Sequence, residues 1–186
     1  MATRTFDRNW LGDSYTSVAK LLHWLIALLL LVTIPAGVIM LEVGPGPVQN
    51  LLFILHKGIG ATLILLVALR ILWRATHPPP RLVGLPDWQI RASKAVHHLL
   101  YVMLVVMVAS GYVRTVAGGY PIELLDALGI PPLLGKNKTV EDIALWVHFL
   151  GANVIGALIF LHVGAALHHL LVRKDHVFWR MWPGRG

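Results

Sequence analysis

The sequence predicts an all-α integral membrane protein, a four-helix bundle with both termini in the cytoplasm. Three observations predict it. Only 13% of the 186 residues are charged while 56% are hydrophobic, against roughly 25% charged in an ordinary soluble domain. Mean hydropathy is +0.69. Four stretches are apolar over the ~20 residues needed to cross a bilayer at about 1.5 Å rise per residue.

Those stretches are approximately 18–41, 51–73, 95–116 and 143–172. The first is too long for a signal-peptide core and shows no convincing cleavage site, so the sequence predicts that it is retained. "EVGPGP" (42–47) separates the first two helices, and "HPPPRLVGLP" (77–86) the second and third, because consecutive prolines cannot continue a helix. The longest connection, about 117–142, contains "PIELLDALGIPP", whose Leu124, Leu125 and Leu128 suit one amphipathic turn on the membrane surface. There is no internal repeat or low-complexity segment, so residues 1–186 read as one transmembrane domain.

Cations set the expected orientation. Arg4, Arg8, Lys20, Arg70, Arg74, Arg81, Arg91, Lys94, Arg173, Lys174, Arg180 and Arg185 fall on the side of the two termini and the 77–86 connection. Lys57, Arg114, Lys136 and Lys138 fall on the other. Twelve against four places the termini inside. Acidic residues lean mildly the opposite way, with Asp7, Asp13, Asp87 and Asp175 inside and Glu42, Glu123, Asp126, Glu141 and Asp142 outside. The net charge of +7 then meets anionic lipid headgroups, which explains it better than nucleic acid does. Cysteine is absent, which excludes disulfides, cysteinyl iron–sulfur clusters and a thioether-linked haem.

A polar side chain inside a spanning helix is costly and marks a functional site by default. In "HFLGANVIGALIFLH" (148–162), His148 and His162 bracket thirteen uncharged residues. Fourteen residues rotate a helix about 1400°, some 40° short of four turns, over roughly 21 Å. Both imidazoles therefore share one helix face, one near each membrane surface, together with Ala152, Ile155, Ile159 and Ala166. His56 matches His148 in depth and His23 matches His162, while Gly60 and Ala27 follow these partners by four residues and leave space beside them. Gly37, fourteen residues beyond His23, lies near the outer pair.

Two neutral imidazoles at each depth, with small neighbours, suit two b-type haems with axial histidines. Zinc takes four ligands where each pair offers two, and a di-iron carboxylate site needs Glu-x-x-His motifs that do not occur. The doublets His97–His98 and His168–His169 are thin evidence for a desaturase-type histidine box.

From about residue 15 to 183 the chain resembles the bacterial cytochrome b561 family of four-helix di-haem proteins, an architecture shared with the cytochrome b subunits of formate dehydrogenase and nickel hydrogenase. The motifs are "LLHW" (21–24), "ILHKGIG" (54–60) with "LRILWR" (69–74), "HHLLY" (97–101), "WVHFLGANVIGALIFLHVGAALHHL" (146–170) and "KDHVFWRMWP" (174–183). The resemblance implies that positions matching His56 and His148 hold the outer haem and those matching His23 and His162 the inner. It also implies electron transfer between a donor at one face and a quinone near the inner haem. Stand-alone members of the family include superoxide oxidases of the bacterial inner membrane, which take electrons from periplasmic superoxide and reduce ubiquinone.

Further polar residues carry narrower expectations. Arg70, fourteen residues past His56 at the inner depth, is a candidate partner for an inner haem propionate or a positive-inside anchor. Arg114, ahead of Lys57, is the outer counterpart. His169, seven residues past His162, faces the interior and is a candidate for proton exchange with a quinone, with a rim histidine as the plain alternative; His168 points away. His97 is either a second quinone contact or an alternative inner ligand. Lys136 and Lys138 read as a solvated loop, with steering of a superoxide anion as the functional alternative. Tryptophans 24, 73, 146, 179 and 182 suit an interfacial belt, and Pro35 is expected to kink the first helix.

The function so predicted is a transmembrane oxidoreductase passing electrons through two haems from superoxide, or another one-electron donor, to ubiquinone. Alternatives are a membrane anchor for a separate dehydrogenase or hydrogenase subunit, and a non-redox bundle whose histidines bind a metal ion or sense pH.

Overall fold

The computed structural model describes residues 14–82 and 84–184. Arg4, Asp7, Arg8, Asp13 and Arg185, counted above in the charge argument, lie outside the described residues. Four long helices dominate: α1 (Ser17–Glu42), α2 (Pro47–Thr76), α3 (Asp87–Ala117) and α5 (Lys138–Leu167), with a one-turn α4 (Glu123–Ala127) between the last two. All four long helices are long and apolar enough to cross a membrane.

Local chemistry sets each start and stop. The Thr16 hydroxyl accepts from the Ala19 N–H and caps α1, and α1 ends at Val43 before Gly44 and Pro45. The helix runs through Pro35 without a break. Pro47 opens α2 at its first turn, where a missing N–H costs nothing, and α2 stops at His77 before three prolines. Asp87 lies in the first turn of α3, where a carboxylate favours the helix dipole. Asn137 Oδ1 accepts from Val140 N at 3.1 Å and caps α5.

The helices outrun the spans expected from hydropathy, because hydropathy registers only the lipid-facing part. α3 begins at Asp87 rather than 95, through the polar turns of Gln89, Arg91 and Lys94. α5 begins at Lys138 rather than 143, and Lys138 Nζ pairs with Asp142 one turn on at 2.7 Å. At its far end α5 passes into a π-helical turn, His168–Arg173, closed by Lys174 in the left-handed conformation (φ 52°).

α1 packs along α2, α3 packs along α5, and α2 joins α3 to unite the two hairpins. Ile26, Leu63, Val67, Leu104 and Ile155 form the core where they meet. Outward-facing positions are apolar, as with Leu31 (71% exposed) and Phe160 (79%). Lipid is the medium that makes such a surface stable.

The end of the bundle bearing the 77–86 connection is clamped by the C-terminal segment. Arg180, only 5% exposed, donates through Nη2 to the carbonyls of Pro80 (2.7 Å) and Arg81 (3.0 Å), and Tyr15 N donates to Arg180 O. Trp24 Nε1 donates to Met181 O at 2.9 Å, and the Trp24 and Trp182 rings meet edge to face. The start of α1, the 77–86 connection and the C-terminal segment therefore share one end. These tryptophans hold the fold together; Trp73 stacks on His77 (3.9 Å, 3°) and donates to Thr16 Oγ1. Arg180→Ala removes charge-assisted bonds that contribute about 1.5–3 kcal/mol each. A lower thermal midpoint in detergent, with Trp182 more accessible to a quencher, is the expected result.

Candidate haem-binding site

α5 supplies His148 and His162 to one cleft, and α1 and α2 supply His23 and His56 across from them. The structure brings together the pairs expected by depth. The His56 and His148 rings have centroids 6.1 Å apart at 85°, and His23 and His162 are also 6.1 Å apart at 85°. Two metal–nitrogen bonds of about 2.0 Å, each followed by roughly 1.1 Å to a ring centre, span close to that distance. Among the described residues no group of three or more His, Asp or Glu side chains is arranged to hold a metal ion. The outer histidines stand as a pair, and His97 adjoins the inner pair.

Small residues and sparse backbone contact leave room beside these rings. α5 packs closely along α3, whereas its backbone comes near α1 and α2 at isolated points at most. A Cβ at Gly60, one turn past His56, would meet no atom within 4 Å. Ala152, one turn past His148, is exposed, and Ala27, one turn past His23, is half-buried.

At the outer pair, His56 Nδ1 lies 2.9 Å from the Thr33 carbonyl and 3.1 Å from Thr33 Oγ1. His148 Nδ1 lies 3.1 Å from both the Met107 carbonyl and Ser110 Oγ. An Nδ1–H donated to these acceptors leaves Nε2 unprotonated, the form in which an imidazole binds metal. Gly37 allows this approach: a Cβ there would stand 2.8 Å from His56 Cε1, and one at Gly111 would stand 3.0 Å from His148 Cε1. Sequence reasoning found Gly37 but missed Thr33, Ser110 and Gly111. Hydroxyls within apolar spans were the available signal.

At the inner pair, His97 Nδ1 faces Ser93 Oγ at 3.3 Å, and its ring lies 5.3 Å from His162 at 73°. That separation is shorter than the shared 6.1 Å, so His23 is the better match for His162 across a metal. Arg70 donates to Ala19 O at 3.0 Å, lies 5.7 Å from the Tyr101 ring centre, and interacts electrostatically with His23 and His162. Arg114 stands in the same relation to His56 and His148. Lys57 is engaged elsewhere: its Nζ donates to Pro121 O (2.6 Å) and Glu123 Oε1 (2.8 Å), fastening α4 to α2. Lys138 is likewise held by Glu141 and Asp142.

His169 lies in the π-helical turn, so counting at 100° per residue from His162 does not apply there. Its Nδ1 meets Asp175 Oδ2 at 2.7 Å, and Arg173 Nε meets the same oxygen at 3.1 Å; His168 is exposed. Burial works to raise the Asp175 pKa, but hydrogen bonds from His169, Val177 N–H and Arg173 outweigh it and hold the carboxyl below its ordinary value. A depressed folded value contributes stability that is complete above the unfolded pKa of about 3.9 and is lost as pH falls through the folded one. The 169–177 turn is therefore expected to open on acidification below pH ~4, and amide exchange at Val177 measures it. Asp175→Asn should remove that pH dependence.

Fold and site together define a multi-pass membrane protein with facing imidazole pairs at two depths between its helices. The chain belongs to the prokaryotic cytochrome b561 family, whose model matches residues 14–184. Membership makes it a bacterial-type membrane electron-transfer protein with b-type haem as the family's cofactor. It is 34% identical to cytochrome b561 homolog 2 of Escherichia coli (strain K12) over 130 residues, 68% of each chain. It is 27% identical to cytochrome b561 homolog 1 of the same organism over 131 residues, 70% of this chain and 74% of that one. A probable superoxide oxidase, CybB, of Yersinia pestis is 27% identical over 163 residues, 87% of this chain and 92% of that one.

Proposed function

We propose that the chain is a single-domain, di-haem relay of the bacterial inner membrane, carrying electrons from a one-electron donor at the outer face, superoxide foremost, to ubiquinone at the inner haem. The observation that carries it is the recurrence of one imidazole geometry, 6.1 Å and 85°, at two places on α5 fourteen residues apart. Haem b, when bound, supplies reversible one-electron exchange at iron. His56 and His148 would hold the outer haem, and His23 and His162 the inner.

The remaining residues act around these ligands. Arg114 and Arg70 provide positive charge beside the outer and inner pairs, suited to propionates. The apolar turns between His148 and His162 exclude water and keep the sites about 21 Å apart along the helix. His169 and Asp175 form a pair able to exchange a proton at the inner end, and His97 lines the approach to His162. The cation bias supports cytoplasmic termini. The superoxide assignment is supported by the name of the Yersinia pestis relative, and Lys136 is the outer-loop cation left to attract an anion once Lys57 and Lys138 are paired.

A dithionite-reduced minus oxidised spectrum of detergent-purified protein, with haem quantified per polypeptide, tests the reading. About two b-type haems per chain are expected, oxidised by ubiquinone and reduced by superoxide in stopped flow. Loss of superoxide reduction with co-purification of a stoichiometric redox subunit would instead make the chain a membrane anchor.

A further inference from the structure

The two imidazole pairs share a separation and an angle but not their surroundings. Behind the outer pair, each Nδ1 faces both a backbone carbonyl and a hydroxyl, from Thr33 for His56 and from Met107 and Ser110 for His148. The Ser110 hydroxyl itself donates to the Met107 carbonyl at 3.3 Å, closing a three-membered network. Thr33 and Ser110 are 6% and 7% exposed, and a hydroxyl buried at this depth is costly unless bonded. Behind the inner pair, no hydrogen bond from the described residues reaches His23 or His162. Their neighbours are rings, Trp24 at 5.6 Å from His23 and His97 at 5.3 Å from His162.

An Nδ1–H held by an acceptor makes the other ring nitrogen a stronger donor to metal. A stronger donor favours the higher oxidation state and lowers the midpoint potential, so matched bonds on both sides of one metal act in the same direction. We infer that Thr33 and Ser110 are positioning residues that, with the Thr33 and Met107 carbonyls, fix both outer imidazoles and set the outer site at a lower potential than the inner one. The inference rests on the axial-ligand reading above and adds to it two residues and an ordering of the sites. The ordering follows from protein groups alone and is independent of which way the chain is inserted.

The test is an optical redox titration of the purified holoprotein and of Thr33→Val and Ser110→Ala, singly and together, with haem counted in each. The outer component is identified as the one missing from His56→Ala. Wild type should titrate in two steps with the outer component lower. In the double variant the midpoint of that component should rise by ~59 mV for a one-electron couple, a tenfold fall in its oxidised-to-reduced ratio at a fixed potential, while the inner one stays in place. Thr33→Ser, which keeps the hydroxyl, should titrate as wild type, and Ser93→Ala, beside His97, should leave the outer component unmoved. Two haems with unmoved potentials would overturn the inference and leave the ligand assignment standing. Equal shifts of both components would also overturn it, as would loss of the outer haem from each single variant, which would make the hydroxyls structural. A wild-type protein binding fewer than two haems would instead remove the reading on which it rests.

Discussion

Replacing His148 with alanine is expected to halve the haem bound per polypeptide, from about two to one, and to leave the inner site's part of the spectrum intact. The reason is geometric. His148 and His56 face each other at 6.1 Å, and no other described His, Asp or Glu completes a cluster with them, so an iron between them would lose one of its two axial imidazoles. The change also removes the imidazole that the Met107 carbonyl and the Ser110 hydroxyl share, leaving those two bonded to each other. His97→Ala is the contrasting variant. The His97 ring lies at 5.3 Å from His162, too close for the separation the two pairs share, so this protein should keep both haems. A haem count of two in His148→Ala, or of one in His97→Ala, would mean that the imidazoles are paired differently.

Replacing Gly37 with leucine is expected to remove the outer haem without touching any ligand. A Cβ alone would stand 2.8 Å from His56 Cε1 and 3.1 Å from its Nδ1, inside van der Waals contact. The ring would have to move off the Thr33 carbonyl that orients it. Overpacking of this kind costs typically 1–3 kcal/mol, and here it falls on an imidazole whose position defines the site. Haem content should drop toward one per chain with the helical circular dichroism retained. Gly60→Ala gives the opposite expectation for backbone packing, because its Cβ would meet no protein atom within 4 Å. That variant should fold normally, and haem loss from it would show that the open side of His56 is where the macrocycle lies. Full haem content in Gly37→Leu would show that His56 can be displaced without consequence and would argue against it as a ligand.

Much of this site is legible along the chain because helices convert spacing into direction and depth. Fourteen residues are nearly four whole turns, so His148 and His162 had to share a face. Apolar length alone sets which segments span, so the partners at matching depth, His56 and His23, followed from counting. Arg70 follows His56 by the same fourteen residues, whereas Arg114 was singled out by its depth and the scarcity of outer cations; each interacts electrostatically with the imidazoles at its depth.

Counting fails where the backbone leaves the α-helix or where a partner comes from another element. His169 lies in a π-helical turn, and its Nδ1 is bonded to Asp175 just beyond it. Lys57 looked like an outer cation, but Pro121 and Glu123 of a folded-back connection occupy it. The polar turns that extend α3 and α5 carry no hydropathy signal, though Asp87 and Asn137 mark their starts. Thr33, Ser110 and Gly111 lie in α1 and α3 with no spacing relation to the histidines they support. Composition and periodicity are properties of one chain segment, and they were enough to specify a membrane-spanning bundle with imidazoles at two depths. Which carbonyl and hydroxyl stand behind each imidazole depends on how α1 meets α2 and how α3 meets α5, and that is a property of packing between helices far apart in sequence.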